Sequence, residues 1–165
     1  MYHTMKARYL LVLFALLVAL PQAMNAKKKK EVSIQLYSVR DVINKGTDLN
    51  VVLKDLAEMG YTSIEAANYD NGKFYGKTPE EFKSAVEKAG MTVLSSHCSR
   101  GLSGEEVTSG DFSESLKWWD QSIAAHKAAG MKYIVNPGIG VPKTMKEMKM
   151  YCDYFNEIGD RKSVV

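Results

Sequence analysis

A small set of polar side chains stands where apolar runs of this chain end. Gln35 and Tyr37 follow "VSI", Glu65 follows "TSI", Ser95, Ser96 and His97 close "MTVLSSH", and Asn136 follows "YIV". A carboxylate is a proton acceptor and a ligand for hard cations. An imidazole moves protons near neutral pH or holds a metal, and amide, hydroxyl and phenol groups bond to the hydroxyls of a polar ligand. Together these types suit the holding of a small polar ligand.

Each residue also has a plainer use. Glu65 can leave the sheet into water, and His97 can be a satisfied structural histidine ahead of the "CSRGLSG" loop. Gln35 and Tyr37 can bond neighbouring backbone, and Asn136 before Pro137 is equally a turn former. Arg40 and Asp41 either gate the same end or pair with each other. Trp118 and Trp119 read as core and rim packing, His126 as a solvent-facing residue of the same helix, and "MKEMKM" as helix packing.

The elements that must position these groups repeat one unit, a short β-like run followed by an amphipathic helix. The runs are "VSIQLYSV", "YTSIEAA", "MTVLSSH" and "KYIVNPG". Helix one is expected from Thr47 or Asp48 to Gly60, with Leu49, Val52, Leu53, Leu56 and Ala57 on one face. Helix two has Thr78 as N-cap, Pro79 at the first position and Glu81 completing a capping box, and it ends at Gly90. Helix three is expected from about Ser113 to Gly130, burying Leu116, Trp119, Ile123 and Ala124. Helix four starts at Thr144 with Glu147 as its partner, turns Met148, Tyr151, Cys152 and Phe155 to one face, and stops at Gly159. Strand starts near Val32, Thr62 and Thr92 lie about 30 residues apart, the spacing of βαβ units, and right-handed crossovers then give a parallel sheet. The fold class is α/β. No G-x-G-x-x-G follows the first strand and no G-x-x-x-x-G-K-[ST] occurs, which leaves part of a (β/α)₈ barrel ahead of a nucleotide-binding open sheet. In such a barrel, side chains at the C-terminal ends of the strands converge on one mouth.

Composition fits a globular domain: 165 residues, 45% hydrophobic and 25% charged. Residues 1–26 have signal-peptide grammar, with Lys6 and Arg8 ahead of an apolar run from Tyr9 to Leu20 and small residues up to Ala26. That run is shorter than the roughly 18 to 20 residues of a membrane span, so an exported protein, periplasmic or secreted, without a stable span is expected. The basic run Lys27 to Lys30 reads as a linker over residues 27–31, although positive charge there resists translocation. The net charge of +3 hides the balance of the folding part. Setting aside those six basic residues leaves 16 of the 22 against 19 acidic ones, or −3, which does not suit a nucleic-acid surface. Cys98 and Cys152 fall on elements far apart in the chain, which favours two unpaired thiols over a bridge.

The stretches "IQLYSVRD", "LAEMGYTSIEAANY", "TPEEFKSAVEKAGMTVLSSH" and "AAGMKYIVNPGI" resemble the sugar phosphate isomerase/epimerase group of xylose isomerase-like TIM barrels, particularly its exported bacterial members. The resemblance covers about residues 31 to 158. It implies the first half of a TIM barrel, four βα units over residues 32–159, and a small-molecule carbohydrate as ligand. It also implies a divalent metal (Mn, Mg, Zn or Co) at the mouth that polarises adjacent sugar oxygens, while a carboxylate base moves a proton through an enediol-like intermediate. A lyase or hydrolase of oxidised sugars using the same site, and a carbohydrate-binding half-barrel without catalysis, are the alternatives.

The resemblance places most metal ligands and the paired catalytic carboxylates on strands five to eight. Beyond residue 26 the chain has 139 residues, 165 less 26, against roughly 250 for a complete barrel. Gln35, Tyr37, Glu65, His97 and Asn136 are therefore expected as substrate-mouth residues, with Glu65 and His97 at most a minority share of a metal shell that this chain alone holds loosely. The last residues, 160–165, can be encoded by GAT CGG AAG AGC GTC GTG, which reads like a sequencing adapter. They are expected to be a non-native tail on a truncated chain. Half a barrel exposes two sheet edges, so self-association through them is also expected.

Overall fold

The computed structural model describes residues 30–163. The expected signal segment and Lys27 to Lys29 lie outside the described residues. Four strands form one parallel sheet: β1 (Ser33–Gln35), β2 (Ser63–Ala66), β5 (Thr92–His97) and β6 (Tyr133–Val135), in the order β1-β2-β5-β6. Between β2 and β5 lies a small antiparallel hairpin of β3 (Tyr69–Asp70) and β4 (Lys73–Phe74). The helices are α1 (Arg40–Asn44), α2 (Leu49–Glu58), α3 (Pro79–Lys88), α4 (Gly104–Ser109), α5 (Ser113–Ala128) and α6 (Met145–Ser163). Each of β1, β2 and β5 leads through at least one helix to its next parallel neighbour, the repeating βα unit.

The helices begin where local chemistry dictates. Asp48 caps α2 by accepting from the Asn50 backbone N–H at 2.6 Å. Thr78 and Glu81 close a reciprocal capping box on α3, with Pro79 at its first position. Ser103 and Glu106 do the same for α4, a short helix with no counterpart among the expected elements. Glu106 is buried and also accepts from the Ser115 backbone N–H at 3.0 Å, so one carboxylate ties α4 to α5. Burial alone would raise the Glu106 pKa, but hydrogen bonds from Ser115 and Ser103 outweigh it and hold the pKa below the usual carboxylate value.

The main core lies between the outer face of the sheet and helices α2 and α3. Ile64, Ala66 and Val93 pack there on Leu53, Leu56, Phe82 and Val86, and each such large aliphatic or aromatic side chain contributes about 1.5–3 kcal/mol when fully buried. A second cluster joins Cys98, Phe112, Leu116 and Trp119 to Tyr154 of α6. Trp119 Nε1 donates to Tyr154 Oη at 2.7 Å, so the ring polar groups satisfy each other inside it. Cys98 and Cys152 are both unpaired, one buried and one exposed.

Several expectations need correction. The first strand ends at Gln35, and Leu36–Val39 form a 3-10 turn that drops Leu36 fully into the core. Continued alternation along one strand would have cost that burial. Tyr37 therefore sits on a turn, not at a strand end. On α5, Ala124 faces solvent while Ser122 and His126 are buried, so His126 is not a surface residue. On α6 the inward face is Met150, Tyr151, Tyr154, Phe155 and Ile158, with Met148 and Cys152 exposed. That rotation lets Tyr154 meet Trp119. The helix also runs through Gly159 to Ser163. Beyond Gly159, Arg161 makes a two-pronged bond to Asp120 (2.7 and 2.8 Å), and Ile158 packs on the second cluster.

Candidate functional site

Register builds the site. Gln35 aligns with Glu65 across β1 and β2, and Glu65 aligns with Ser95 across β2 and β5. The second pairing depends on an irregularity: Ile64 pairs with Val93, yet Glu65 pairs with Ser95, leaving Leu94 as the extra residue. Regular alternation would set Leu94 beside Glu65. The bulge instead brings the Ser95 hydroxyl there, and His97, two residues on, shares its face. Bulges of this sort re-aim side chains beside functional sites.

The four side chains form one hydrogen-bonded cluster. Gln35 Nε2 donates to Glu65 Oε1 at 2.6 Å, and Ser95 Oγ donates to Glu65 Oε2 at 2.6 Å. His97 Nε2 stands 2.8 Å from Gln35 Nε2 and 3.1 Å from Glu65 Oε1. An amide nitrogen only donates, so the neutral His97 ring accepts from Gln35 through Nε2 and carries its proton on Nδ1. Once protonated, Nε2 becomes a donor and its partner is the Glu65 carboxylate. Ser95 is buried, while the Glu65 and His97 side chains keep 20% and 27% of their surface open. The arrangement is anchored from below and reachable from above.

Of the four, His97 borders an open cleft of about 420 Å³, lined also by Tyr37, Tyr69, Asp70, Trp118 and Pro137 among others. Tyr69 and Trp118 meet edge to face, centroids 5.8 Å apart, and form one aromatic wall. Tyr37 forms the lip, 53% exposed, with the Arg40 guanidinium 4.1 Å over its ring. Arg40 also approaches Asp41 at 3.8 Å, but both are exposed and the pair contributes little.

Of the expected site residues, the structure brings Gln35, Glu65 and His97 into contact and places Tyr37 at the lip of the same cleft. Asn136 lies beyond the end of β6, and its Oδ1 accepts from the Gly138 backbone N–H at 3.2 Å, the turn-forming role. Ser95 and Tyr69 are site residues beyond the expected set, and Trp118, which the sequence assigns to packing, is half-buried in the cleft wall. Gln35, Glu65 and Ser95 are 30 residues apart, the repeat of the βα unit, a spacing that marks equivalent strand positions but not the face that Ser95 takes.

Glu65 Oε1 and His97 Nε2 are the donor types divalent cations take, and they face each other. Among the described residues no three His, Cys, Asp or Glu side chains converge. The described residues thus fit two places of a shell that needs four to six.

The chain matches no family model and no curated protein. Solved structures do match. A sugar phosphate isomerase/epimerase from Parabacteroides distasonis ATCC 8503 superposes with a TM-score of 0.71 at 28% identity, over 82% of this chain and 51% of that one. This chain has the fold of the first half of a TIM barrel. A second sugar phosphate isomerase/epimerase from the same organism gives a TM-score of 0.69 at 22% identity, over 84% and 49% of the two chains. A xylose isomerase-like TIM barrel/4-hydroxyphenylpyruvate dioxygenase fusion protein gives 0.60 at 12% identity, over 82% and 20%. The half-barrel thus spans about half the length of the two Parabacteroides structures, and its neighbours are the proteins its sequence motifs resemble. Among the described residues no helix is long and apolar enough to cross a membrane.

Proposed function

We propose that this half-barrel carries part of the active site of a sugar isomerase or epimerase, acting on a small-molecule carbohydrate by metal-assisted proton transfer. The observation that carries the reading is the Gln35–Glu65–Ser95–His97 cluster, built across three parallel strands beside an open aromatic-walled cleft. Glu65 is the carboxylate that this half of the site contributes. Ser95 and Gln35 each hold one of its oxygens, which fixes the carboxylate plane before a ligand arrives. His97 presents Nε2 to the same point as Glu65 Oε1, so these two side chains would hold a cation there. Tyr37 and the Tyr69–Trp118 wall orient the ligand and exclude water from it. A bound divalent cation would supply polarisation of adjacent sugar oxygens, with Glu65 and His97 among its ligands. Because only two such donors converge among the described residues, the chain is expected to hold a cation loosely and to bind sugar without turning it over.

The test is an NMR titration of the His97 ring. Millimolar Mn²⁺ is expected to broaden the His97 signals selectively, on the scale at which weakly bound ligands act. A ketose or aldose should shift them further in the presence of Mg²⁺, and Glu65→Gln should remove both responses. A His97 ring indifferent to Mn²⁺ would overturn the metal-assisted reading. A second reading, carbohydrate binding without catalysis, is favoured by the aromatic wall, and sugar bound equally well without cation and by Glu65→Gln would establish it instead.

A further inference from the structure

The hairpin of residues 69–74 forms one wall of the cleft, yet its two strands share only two residue pairs. Its seat is aromatic. Tyr69 packs on the His126 ring at 4.8 Å between centroids, and Phe74 meets the same ring edge-on at 4.9 Å. Phe74 also stacks on Phe82 at 5.4 Å. His126 is 2% exposed, and its Nδ1 lies 2.7 Å from the Ser122 carbonyl oxygen. A carbonyl only accepts, so Nδ1 carries the proton in the neutral ring. Nε2 is buried with no partner among the described residues. The neutral ring tolerates this, because it leaves only a lone pair unmet. A protonated ring would add a buried N–H and a charge with nothing to receive them.

The surroundings do not favour the charge. The hairpin presents the Tyr69 phenol to His126, and its Asp70 and Lys73 are exposed to solvent. The Cys98 thiol, just beyond β5, reaches it only through the Ser122 hydroxyl, at 3.0 Å. Lys127 of its own helix, with Lys132 and Tyr133 at the start of β6, lines a hollow of about 220 Å³ beside it, and Lys83 of α3 lies against Gly130. Burial holds the His126 pKa below its ordinary value, against the opposing hydrogen bond to Ser122.

We propose that His126 is the positioning residue of the cleft wall: its neutral ring is the surface on which Tyr69 and Phe74 seat, and protonating it unseats the hairpin and opens the cleft. Nothing in this depends on what the cleft binds. With the hairpin released, the ring meets water and titrates near the ordinary histidine value of about 6.5. As pH falls through that value the released state takes up a proton that the seated state does not. The released population then rises, up to about tenfold per pH unit, until the seated ring also protonates.

Hydrogen exchange at the Asp70–Phe74 amides, corrected for intrinsic rates, reads the release. Between about pH 7.5 and 5.5 their protection is expected to fall about tenfold, while β2 and β5 amides hold theirs. The ring signals of His126, which report the dominant seated state, should remain those of the neutral ring over the same range. His126→Phe keeps a ring in the seat without a titrating group and should flatten the response, whereas His97→Gln should leave it intact. Hairpin protection that is constant over this range, or lost together with that of β2 and β5, would overturn the proposal. A response that persists in His126→Phe would overturn it as well. Should that variant not fold, the contrast between the Asp70–Phe74 amides and those of β2 and β5 in the unsubstituted chain decides alone.

Discussion

At the residue scale, the site is a carboxylate held on both oxygens. Ser95 and Gln35 each donate to Glu65 at 2.6 Å, and a hydrogen bond to a charged group contributes about 1.5–3 kcal/mol. Ser95→Ala is therefore expected to lower the stability to urea by about 2 kcal/mol, since it leaves a half-buried carboxylate oxygen unmet. If that loss runs through Glu65, the double variant with Glu65→Gln must lose less than the two single variants summed, by about 1 kcal/mol. Additive losses would place the cost in packing instead. Glu65 and His97 stood out in the sequence because each closes an apolar run, although each also had a plainer reading there. Ser95 was not legible as their anchor. Its face depends on the bulge at Leu94, and nothing in "TVLSSH" marks where the alternation breaks. Asn136 looked the same in sequence whether it served a ligand or a turn, and the local bond to Gly138 won.

At the element scale, capping chemistry explains why three main helices could be placed before the structure. Thr78 accepts from the Glu81 backbone N–H at 3.2 Å, and Glu81 returns a bond to the Thr78 backbone N–H at 2.9 Å. Removing the first of these with Thr78→Ala is expected to cost about 1 kcal/mol. Urea unfolding followed by circular dichroism measures it, and Thr78→Ser should recover most of the loss. The hairpin was missed although its signal was present: "DNGKF" holds Asn71-Gly72, and both residues take positive φ, 45° and 80°, as a two-residue type I′ turn requires. It escaped because the strands flanking it are too short to show alternation. The α6 stop was misplaced for the opposite reason. Gly159 is a local signal, whereas the helix continues past it to a contact of Arg161 with Asp120, 41 residues away in sequence.

At the scale of the whole molecule, the described sheet has two unpaired edges, β1 and β6, and both run parallel to every other strand. Tyr133 on β6 is 55% exposed, and Val32 beside β1 is 41% exposed. Unpaired backbone groups flanked by open apolar side chains are a template for further pairing, because each ladder bond formed also covers apolar surface. The inner face argues the same way, since Gln35, Glu65, Ser95 and His97 lie on the side of the sheet away from the helical core. Self-association at concentrations from about 10 μM upward is the expected outcome, seen as a mass rising with concentration in size-exclusion chromatography with light scattering. Tyr133→Lys sets a charge on the β6 edge, where lysine blocks pairing, and should shift the chain toward monomer. Its effect on the stability of that monomer should stay within about 0.5 kcal/mol, the range of an exposed substitution. A chain that is monomeric throughout, or whose association ignores Tyr133→Lys, would show that the β6 edge is protected in solution by something other than a second chain.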